Sequence, residues 1–449
     1  MHHCDTLISA KWCVPIEPAG VILEDHAVAI GDGRILELLP VAEARTSYQA
    51  SASIQRPGHV LIPGLVNTHS HAAMSLFRGL ADDLPLEVWL HDGIWPAERR
   101  WISAELVRDG TELAIAEMLM AGITCFADQY YFPEIVAETA VDLHMRAMIG
   151  TPIVDIDTAW ASGAPECLSK GTDLVHDPYA DHPLISSCFA PHSTRALSDE
   201  SFRALRVLAD QLDLGIQIHL HETAAEIAQS IETTGKRPLD RLTDLGLVNA
   251  SLLVVHGVHM SAADITRLAD AGVSVAHCPH SNLKLASGIA PLAAYRKAGV
   301  NVGIGTDSAA SNNALDVLAE TRTAALLAKV TAGDAAALTA AAALRMATLG
   351  GAAALGMADA IGSIEPGKMA DLTCIDLNRP NSQPVYDPIS QVVYTARADQ
   401  VRDVWVAGRH QLDGGRLTQI DPSDLIARSN EWRLRISKEM PHSLRDLKR

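Results

Sequence analysis

The sequence predicts an α/β fold: a (β/α)8 barrel of the TIM type with a small β-sandwich module formed from both chain ends. Between residues 63 and 307, short apolar runs rich in β-formers alternate with longer helical patterns, which is typical of βα units around a parallel sheet. Most of these runs end in His, Asp or Glu, and the carboxyl ends of barrel strands form the active-site face. The segments outside this region read as short strands and turns.

The predicted elements follow in chain order. Residues 1–60 contribute strands to the β module, with a hairpin at the Gly-Asp-Gly of HAVAIGDGRILELLP. Residues 61–367 form the barrel, and residues 368–449 return to the β module and add a helix over roughly 423–438. The eight barrel runs are HVLIPGLVNTHSH, GITCFADQ, MRAMIGTPI, PLISSCFAPH, GIQIHLHE, SLLVVHGVH, GVSVAHCPH and GVNVGIGTD. An open doubly wound sheet has the same rhythm and is the alternative.

Composition narrows the function classes. The chain has 449 residues, 36 of them basic and 54 acidic, and a net charge of -18, which argues against a nucleic-acid groove or a polybasic membrane surface. Its seven cysteines are scattered and form no C-x-x-C pair, so a reducing compartment fits best. With neither a secretory signal pattern nor a membrane-span pattern, we expect a cytoplasmic protein. Apolar helices on a barrel of this size favour a homo-oligomer.

Two histidine triplets predict a metal site. His69 and His71 close the first run, but about one H-x-H triplet is expected by chance in a chain with 19 histidines. A second triplet that begins at His219 closes the fifth run, and Asp307 closes the eighth. Alternate residues of a strand share a face, so these side chains can converge at one barrel mouth. Three imidazoles and one carboxylate without cysteine predict one divalent cation, Zn²⁺ before Fe or Mn.

Glu222 and His256 are the candidate acid–base pair. Glu222 lies three residues after His219 at a strand-to-helix turn, and His256 lies in the sixth run. A divalent cation activates water, and a nearby carboxylate that does not bind the cation is then needed to carry the proton to the leaving group. We expect Glu222 to carry this proton and His256 to orient the attacking oxygen. The alternatives are an acid favoured by the helix dipole and histidines that satisfy local hydrogen bonds.

Four segments in this order, PGLVNTHSH, IHLHET, VVHGVH and GTDSAASNN, resemble the amidohydrolase superfamily. The segment NTHSHAAMSLFRGLADDLPLEVWLHDGIWPAE is similar to its aminohydrolase branch, specifically the 5'-methylthioadenosine/S-adenosylhomocysteine deaminases. The resemblance covers essentially the whole chain, including GSIEPGKMADLTCIDL, which returns from the barrel to the β module. It places the metal ligands on His69, His71, His219 and Asp307, the proton shuttle on Glu222 and its helper on His256.

The resemblance also implies two substrate contacts. It assigns Glu98, in IWPAE, to the ribose hydroxyls of a nucleoside and His192, in APHS, to substrate contact. Both are chemically sound, because a carboxylate accepts from two vicinal hydroxyls and a histidine donates to a ring nitrogen or a ribose oxygen. The alternatives are a solvated helix charge and a cap at the end of a strand.

Two departures from relatives refine the expectation. Binuclear amidohydrolases carry a bridging lysine at the end of the fourth strand, and PLISSCFAPH has none, which implies a single metal. Members that accept S-adenosylhomocysteine well carry an arginine at the end of the third strand, where this chain has Thr151. Losing a charge-assisted contact to the substrate carboxylate costs at most about 3 kcal/mol. The resemblance therefore implies a preference for methylthioadenosine or adenosine, unless Arg195 substitutes.

Together these features predict a zinc-dependent aminohydrolase that deaminates small-molecule adenine nucleosides at C6. Glu222 takes a proton from water and returns it to ring N1, while Asp307 and His256 manage the hydroxyl proton and the tetrahedral centre expels ammonia. The substrate contacts would come from Glu98, His192, Glu222 and Asp307. One alternative is another aminohydrolase acting on guanine, an oxidised purine, cytosine or a triazine. Another is a non-catalytic scaffold that keeps the barrel and has lost its chemistry.

Overall fold

The computed structural model describes residues 1–439, so the last residues of the predicted 368–449 segment lie outside the described part. The described strands form two eight-stranded sheets. In chain order they are β1 (His2–Cys13), β2 (Leu23–Gly31), β3 (Arg34–Pro40), β4 (Tyr48–Pro63), β5 (Leu65–Ser70), β6 (Ile123–Gln129), β7 (Arg146–Ile153), β8 (Ile185–Pro191), β9 (Gly215–Leu220), β10 (Leu252–His256), β11 (Ser274–His277), β12 (Asn301–Ile304), β13 (Leu372–Asp376), β14 (Val401–Val406), β15 (Arg409–Asp413) and β16 (Arg416–Leu417).

Strands β5 to β12 form the predicted barrel. Each pairs in parallel with the next one along the chain, and all eight predicted runs contribute one strand in the predicted order. The first and last strands meet at a seam, where the backbone N–H of Asp307 donates to the His69 carbonyl at 3.0 Å. The Asn67 side chain crosses the same seam, donating to the Thr306 hydroxyl at 2.8 Å and accepting from its N–H at 2.9 Å. The near-closed barrel is thereby confirmed, and the open doubly wound sheet is excluded.

Helices connect the barrel strands and cover the outside. Within residues 1–439, none of them is both long and apolar enough to cross a membrane. The α-helices are α1 (Val41–Ser47), α2 (Leu86–Val88), α3 (Trp95–Trp101), α4 (Ala104–Met120), α5 (Pro133–Asp142), α6 (Ala164–Gly171), α7 (Asp177–Tyr179), α8 (Asp199–Leu212), α9 (Ala224–Thr234), α10 (Pro238–Asp244), α11 (Ala262–Asp270), α12 (Pro279–Lys284), α13 (Leu292–Ala298), α14 (Ala309–Asn312), α15 (Val317–Ala332), α16 (Ala340–Arg345), α17 (Gly351–Ala354), α18 (Pro388–Tyr394) and α19 (Pro422–Glu439).

Both chain ends build the second sheet, in the order β16-β15-β14-β13-β4-β1-β2-β3. The predicted β-sandwich thus takes the form of one continuous sheet. Its β2–β3 hairpin turns at Asp32 and Gly33, both with positive φ (51° and 74°), as a two-residue type I′ turn requires. The sheet is bent, so that this hairpin contacts the β14–β15 turn. The contact is close, because a Cβ on Gly33 would lie 2.7 Å from the Ala407 carbonyl oxygen.

The chain enters the barrel at Gly64. Strand β4 runs through Pro63, three residues past the boundary predicted at residue 60, so the first predicted run divides between the two sheets. A Cβ at Gly64 would lie 2.0 Å from Oγ1 of Thr124, so only glycine fits this junction. The apolar pattern continues through the junction because β4 and β5 are both buried there, and hydrophobicity alone does not locate the break.

An ion pair joins the barrel to the second sheet. Arg146, at the start of β7, donates to both carboxylate oxygens of Asp371 at 2.8 and 3.0 Å and also to the Pro183 carbonyl. Asp371 additionally accepts from the Ala407 N–H at 2.8 Å. The two side chains are 6% and 1% exposed, so each depends on the other for its charge balance.

Arg146→Met is expected to lower the free energy of unfolding by about 3–5 kcal/mol, because it leaves the Asp371 carboxylate buried without its cation. Urea unfolding of the metal-loaded chain measures this change. Arg203→Met is the matched control, since Arg203 is 65% exposed and 3.9 Å from Asp199, and it should change the free energy by less than about 1 kcal/mol. Equal effects of the two substitutions would contradict a structural role for the buried pair.

Candidate active site

The four predicted metal ligands lie together at the carboxyl end of the barrel. His69 is on β5, His71 follows that strand, His219 is on β9 and Asp307 follows β12. One ring nitrogen from each of the three histidines lies within 4.8 Å of the other two. The Asp307 Oδ1 lies 3.3 Å from His71 Nε2 and 3.6 Å from His69 Nε2. Residues up to 238 positions apart therefore share one centre.

Backbone carbonyls orient two of these imidazoles. The Nδ1 of His71 is 2.5 Å from the Gln129 carbonyl oxygen, and the Nδ1 of His219 is 2.7 Å from that of His192. Because a carbonyl only accepts, each Nδ1 carries the proton and each Nε2 presents a lone pair. The Nε2 atoms of His219 and His69 face each other at 3.1 Å, the arrangement expected of nitrogens that share a cation.

The charge states of His69, His219 and Asp307 also fit a cation. Burial alone would lower the pKa of His71, but its hydrogen bond to Asp307 raises that pKa. Burial lowers the pKa of His69 to about 4 and the pKa of His219 well below its usual value, so both rings are neutral near pH 7. Burial alone would raise the pKa of Asp307, but its interactions with His69 and His71 hold that pKa well below the usual range. Three imidazoles and one carboxylate are a donor set that zinc accepts. His69, His71, His219 and Asp307 are the residues that would hold it.

Hydroxyl groups hold the Asp307 carboxylate. The Oγ atoms of Ser281 and Ser311 donate to its Oδ2 at 2.5 and 2.9 Å, and the Ser308 N–H donates to its Oδ1 at 2.7 Å. Asp307 has a left-handed backbone with φ of 59°, which is uncommon for a residue with a side chain and typical of functional turns. Sequence reasoning missed both serines. Ser311 lies within the motif GTDSAASNN, whereas Ser281 comes from the short helix α12 and gave no local signal.

Glu222 and His256 lie opposite each other beside this centre. The Nε2 of His256 is 3.8 Å from the Glu222 Oε2, and the His69 and His256 ring centroids are 6.1 Å apart. Ser287 Oγ donates to the other Glu222 oxygen at 2.9 Å, and His256 Nδ1 is 2.9 Å from Asn282 Oδ1. These contacts aim the Glu222 carboxylate and His256 Nε2 at the same space. Ser287 and Asn282 were not predicted.

The backbone at Glu222 is also held. Its N–H donates to Oε2 of Glu226, one turn into α9, at 2.9 Å. The preceding residue, His221, has a positive φ of 54°, which turns the chain sharply from β9 toward the helix. Glu226 is buried, and burial raises its pKa to about 7. The strand-to-helix turn expected at Glu222 is therefore present, with Glu226 as an additional support.

Glu98 reaches the site from α3. The hydroxyl of Tyr130, directly after β6, donates to the Glu98 Oε1 at 2.9 Å. The Tyr130 ring centroid lies 6.3 Å from that of His71, so Glu98 is close to the proposed metal centre. Burial raises the pKa of Glu98 to about 7. A solvated helix charge would show neither feature, and Tyr130 is a further residue that sequence reasoning missed.

His192 lies at the mouth, directly after β8. Its ring centroid is 4.8 Å from that of His219, and its carbonyl orients His219 as described above. Arg195, considered earlier as a partner for a substrate carboxylate, instead contacts Gln229 Oε1 at 2.6 Å and Glu87 Oε1 at 3.4 Å.

Thr151 does not face the site. A Cβ on Gly171 of α6 would lie 2.4 Å from Thr151 Cγ2, which places the threonine side chain outside the barrel. A side chain at position 151 therefore points away from the substrate. This orientation does not support the expectation that an arginine there would have reached the substrate carboxylate. The strand alternation explains the difference, since Met148 and Gly150 are the β7 residues that share the inner face.

Comparisons with known proteins agree with this geometry. A model of the amidohydrolase family matches residues 60–410. The 5-methylthioadenosine/S-adenosylhomocysteine deaminase of Teredinibacter turnerae is 47% identical over 429 residues, which are 96% of this chain and 97% of that protein. The same-named protein of Saccharophagus degradans is 43% identical over 435 residues, 97% of each chain.

A solved structure shares the whole fold. The crystal structure of an adenosine deaminase from Xanthomonas campestris with bound zinc has a TM-score of 0.96 and 50% sequence identity, and the match covers 97% of this chain and 99% of that one. The family match spans the barrel and all eight candidate site residues. The chain belongs to the amidohydrolase family.

Proposed function

We propose that this chain is a zinc-dependent aminohydrolase that deaminates adenine nucleosides at C6, with methylthioadenosine and adenosine as preferred substrates and S-adenosylhomocysteine as a further one. The observation that carries the proposal is the pairing of Glu222 with His256, 3.8 Å apart, beside three clustered histidines and Asp307. The names and the similarity of the relatives above support the choice of substrate class.

The reaction adds water to C6 and releases ammonia. The three histidines and Asp307 would hold a zinc ion, which would lower the pKa of a water molecule toward neutrality. Glu222, held by Ser287, accepts a proton from this water and donates it to ring N1, so that C6 becomes tetrahedral. His256 donates through Nδ1 to Asn282 Oδ1, so its Nε2 accepts a hydrogen bond from the attacking oxygen and orients it. The Asp307 carboxylate then takes the proton of the added hydroxyl and passes it to the amino group, which leaves C6 as ammonia. The products are the inosine analogue and ammonia.

Glu98 and His192 give the site its selectivity for nucleosides. The Tyr130 hydroxyl occupies Oε1 of Glu98, which leaves the other carboxylate oxygen for the ribose hydroxyls. His192 lies at the mouth beside His219, where its ring contacts the bound nucleoside. Both residues act on the sugar side of the substrate, while Glu222 and His256 act on the base.

Glu98→Ala is expected to raise KM for adenosine about 10- to 100-fold, because it removes the carboxylate that accepts hydrogen bonds from the ribose hydroxyls. Deamination of free adenine should change by less than about threefold. Steady-state kinetics with both substrates measures the difference. Equal damage to nucleoside and free base would favour the rival aminohydrolases that act on bases.

A substrate panel tests the overall proposal. Adenosine, methylthioadenosine, S-adenosylhomocysteine and guanine are assayed for ammonia release with the zinc-loaded chain. We expect turnover of the three adenine nucleosides, with S-adenosylhomocysteine the slowest because Glu87 and Gln229 already occupy Arg195. Turnover of guanine alone would overturn the nucleoside assignment, and no turnover with zinc bound would favour the scaffold.

We also propose that the protein is cytoplasmic and forms a homo-oligomer. All seven cysteines are unpaired and buried, which supports a reducing compartment. Exposed apolar side chains on α15, Leu326 and Val330, support self-association through a helical face. Light scattering on the purified chain tests the oligomer.

A further inference from the structure

One short segment, residues 282–287, supports both members of the acid–base pair. It begins in α12 at Asn282 and ends at Ser287. His256 Nδ1 donates to Asn282 Oδ1 at 2.9 Å, and Ser287 Oγ donates to Glu222 Oε1 at 2.9 Å. The Ser287 N–H donates to the Asn282 carbonyl at 2.8 Å, which closes the segment into a turn. The position of this turn therefore determines where Glu222 and His256 point.

The backbone of the turn needs support from other elements. Ala286 has a left-handed backbone with φ of 54°, which is unfavourable for a residue with a Cβ. Gly288, directly after the turn, has φ of 127°. A Cβ on Gly288 would lie 2.9 Å from Val258 Cγ1 and 3.5 Å from His259 Nε2, so the chain packs closely here against the residues that follow β10.

His259 joins this turn to the chain that carries Glu222. Its Nε2 donates to the Ser287 carbonyl at 2.7 Å, and because a carbonyl only accepts, Nε2 carries the proton. The backbone N–H of His259 donates to the His221 carbonyl at 2.9 Å, and His221 directly precedes Glu222. One residue thus contacts both the carboxylate's own backbone segment and the turn that supplies its hydroxyl partner.

His259 is itself held in place. It lies three residues after His256, the last residue of β10. Its carbonyl accepts from Arg237 at 3.3 Å, and the same guanidinium group pairs with the buried Asp264 at 2.7 Å. Its Nε2 is directed to the Ser287 carbonyl, so His259 acts through the backbone of the turn and not on the reacting atoms.

We infer that His259 is a positioning residue for the deamination proposed above, a function on which this inference rests. Its Nε2–H fixes the Ser287 carbonyl, so the Ser287 hydroxyl stays on Oε1 of Glu222 while Oε2 faces His256. Proton transfer depends steeply on this kind of alignment. Loss of the His259 contact therefore slows the chemical step and leaves substrate affinity nearly unchanged.

Two amide substitutions at position 259 test this role in the full zinc-loaded chain. The glutamine amide reaches the place of Nε2, whereas the asparagine amide is one methylene shorter and does not reach the Ser287 carbonyl. We expect His259→Asn to lower kcat for adenosine about tenfold with KM within about twofold, as loss of one hydrogen bond predicts. His259→Gln should stay within about threefold of the unmodified chain. Equal losses in both variants, or a loss carried by KM, would overturn the inference.

His26→Asn is the matched control, because the partly exposed His26 makes the same kind of contact in the second sheet. Its Nδ1 donates to the Glu24 carbonyl at 2.7 Å. This variant should leave kcat within about twofold. A tenfold loss here would mean that the effect at position 259 is not specific to the turn, and would contradict the inference.

Ser287→Ala tests the route by which His259 acts. This substitution removes the hydroxyl that holds Glu222, so His259→Asn has less left to disturb in its background. The loss of kcat in the double variant should be clearly smaller than the product of the two single losses. Single losses that multiply would show that His259 acts independently of Ser287.

Hydrogen exchange follows the turn without relying on activity. Peptides covering residues 282–288 should exchange faster in His259→Asn and at the unmodified rate in His259→Gln. Unchanged exchange in His259→Asn would overturn the inference, whichever substrate the enzyme uses. An unmodified chain that shows this exchange pattern and turns over no adenine nucleoside would instead overturn the proposed function.

Discussion

Glu222→Gln is expected to lower kcat/KM for adenosine by about 10²- to 10⁴-fold while the chain keeps its zinc. The substitution preserves the shape of the side chain and its contact with Ser287, and it removes the carboxylate that accepts and returns the proton. Loss of the adenosine absorbance, measured together with ammonia release, follows the rate. Metal analysis of the same sample shows whether the effect is on proton transfer or on metal binding.

Glu232→Gln is the matched control, because Glu232 is an exposed residue on α9, the helix that begins two residues after Glu222. It should leave the rate within about twofold of the unmodified enzyme. Full activity of Glu222→Gln with zinc bound would show that another group carries the proton. An equal loss in both variants would point to damage to α9 rather than to acid–base chemistry.

His219→Ala is expected to abolish tight zinc binding and to reduce deamination by about 10³-fold or more. His219 supplies one of three imidazoles whose nitrogens lie within 4.8 Å of one another, and no neighbouring described side chain replaces it in that group. Zinc added to metal-free wild-type protein should raise its melting temperature, because the cation binds the folded state preferentially. The same addition should not raise the melting temperature of the variant.

His3→Ala removes an exposed imidazole from β1 and serves as the control for zinc bound non-specifically to histidine. It should retain one zinc per chain and full activity. If His219→Ala kept one tightly bound zinc, the assignment of the site to the carboxyl end of the barrel would be wrong. A chelator-treated wild-type chain that remained active would contradict the role of the metal.

The sequence predicted the site residues that lie at the carboxyl ends of the barrel strands. His69, His219 and Asp307 were placed together because parallel strands bring their carboxyl ends to one edge, a rule that depends on topology and not on atomic detail. The hydroxyl and amide partners were missed because they come from the segment after β11, away from the strand ends. Ser281 and Asn282 lie in the short helix α12, and Ser287 lies in the loop after it. Their spacing has no period that relates them to the ligands.

The sequence also failed to predict which side of the barrel wall a strand residue faces. Thr151 and Gly150 are adjacent on β7, yet they face opposite sides of the barrel wall, and a register error of one residue exchanges them. The break at Gly64 was missed for a related reason. Strands β4 and β5 are buried on both sides of the break, so their hydrophobic pattern is continuous, and only the close approach of Thr124 shows why a glycine stands there.

The seam between β5 and β12 has a consequence for the order of folding. His69 and Asp307 lie on opposite sides of this seam, which joins segments separated by 238 positions and therefore forms at a high entropic cost of chain closure. A cation bound by both residues connects the two ends of the barrel at the point where they meet last. Without it, amide protons at this junction should exchange with solvent sooner than those between β6 and β7, so the catalytic ion also completes the tertiary structure.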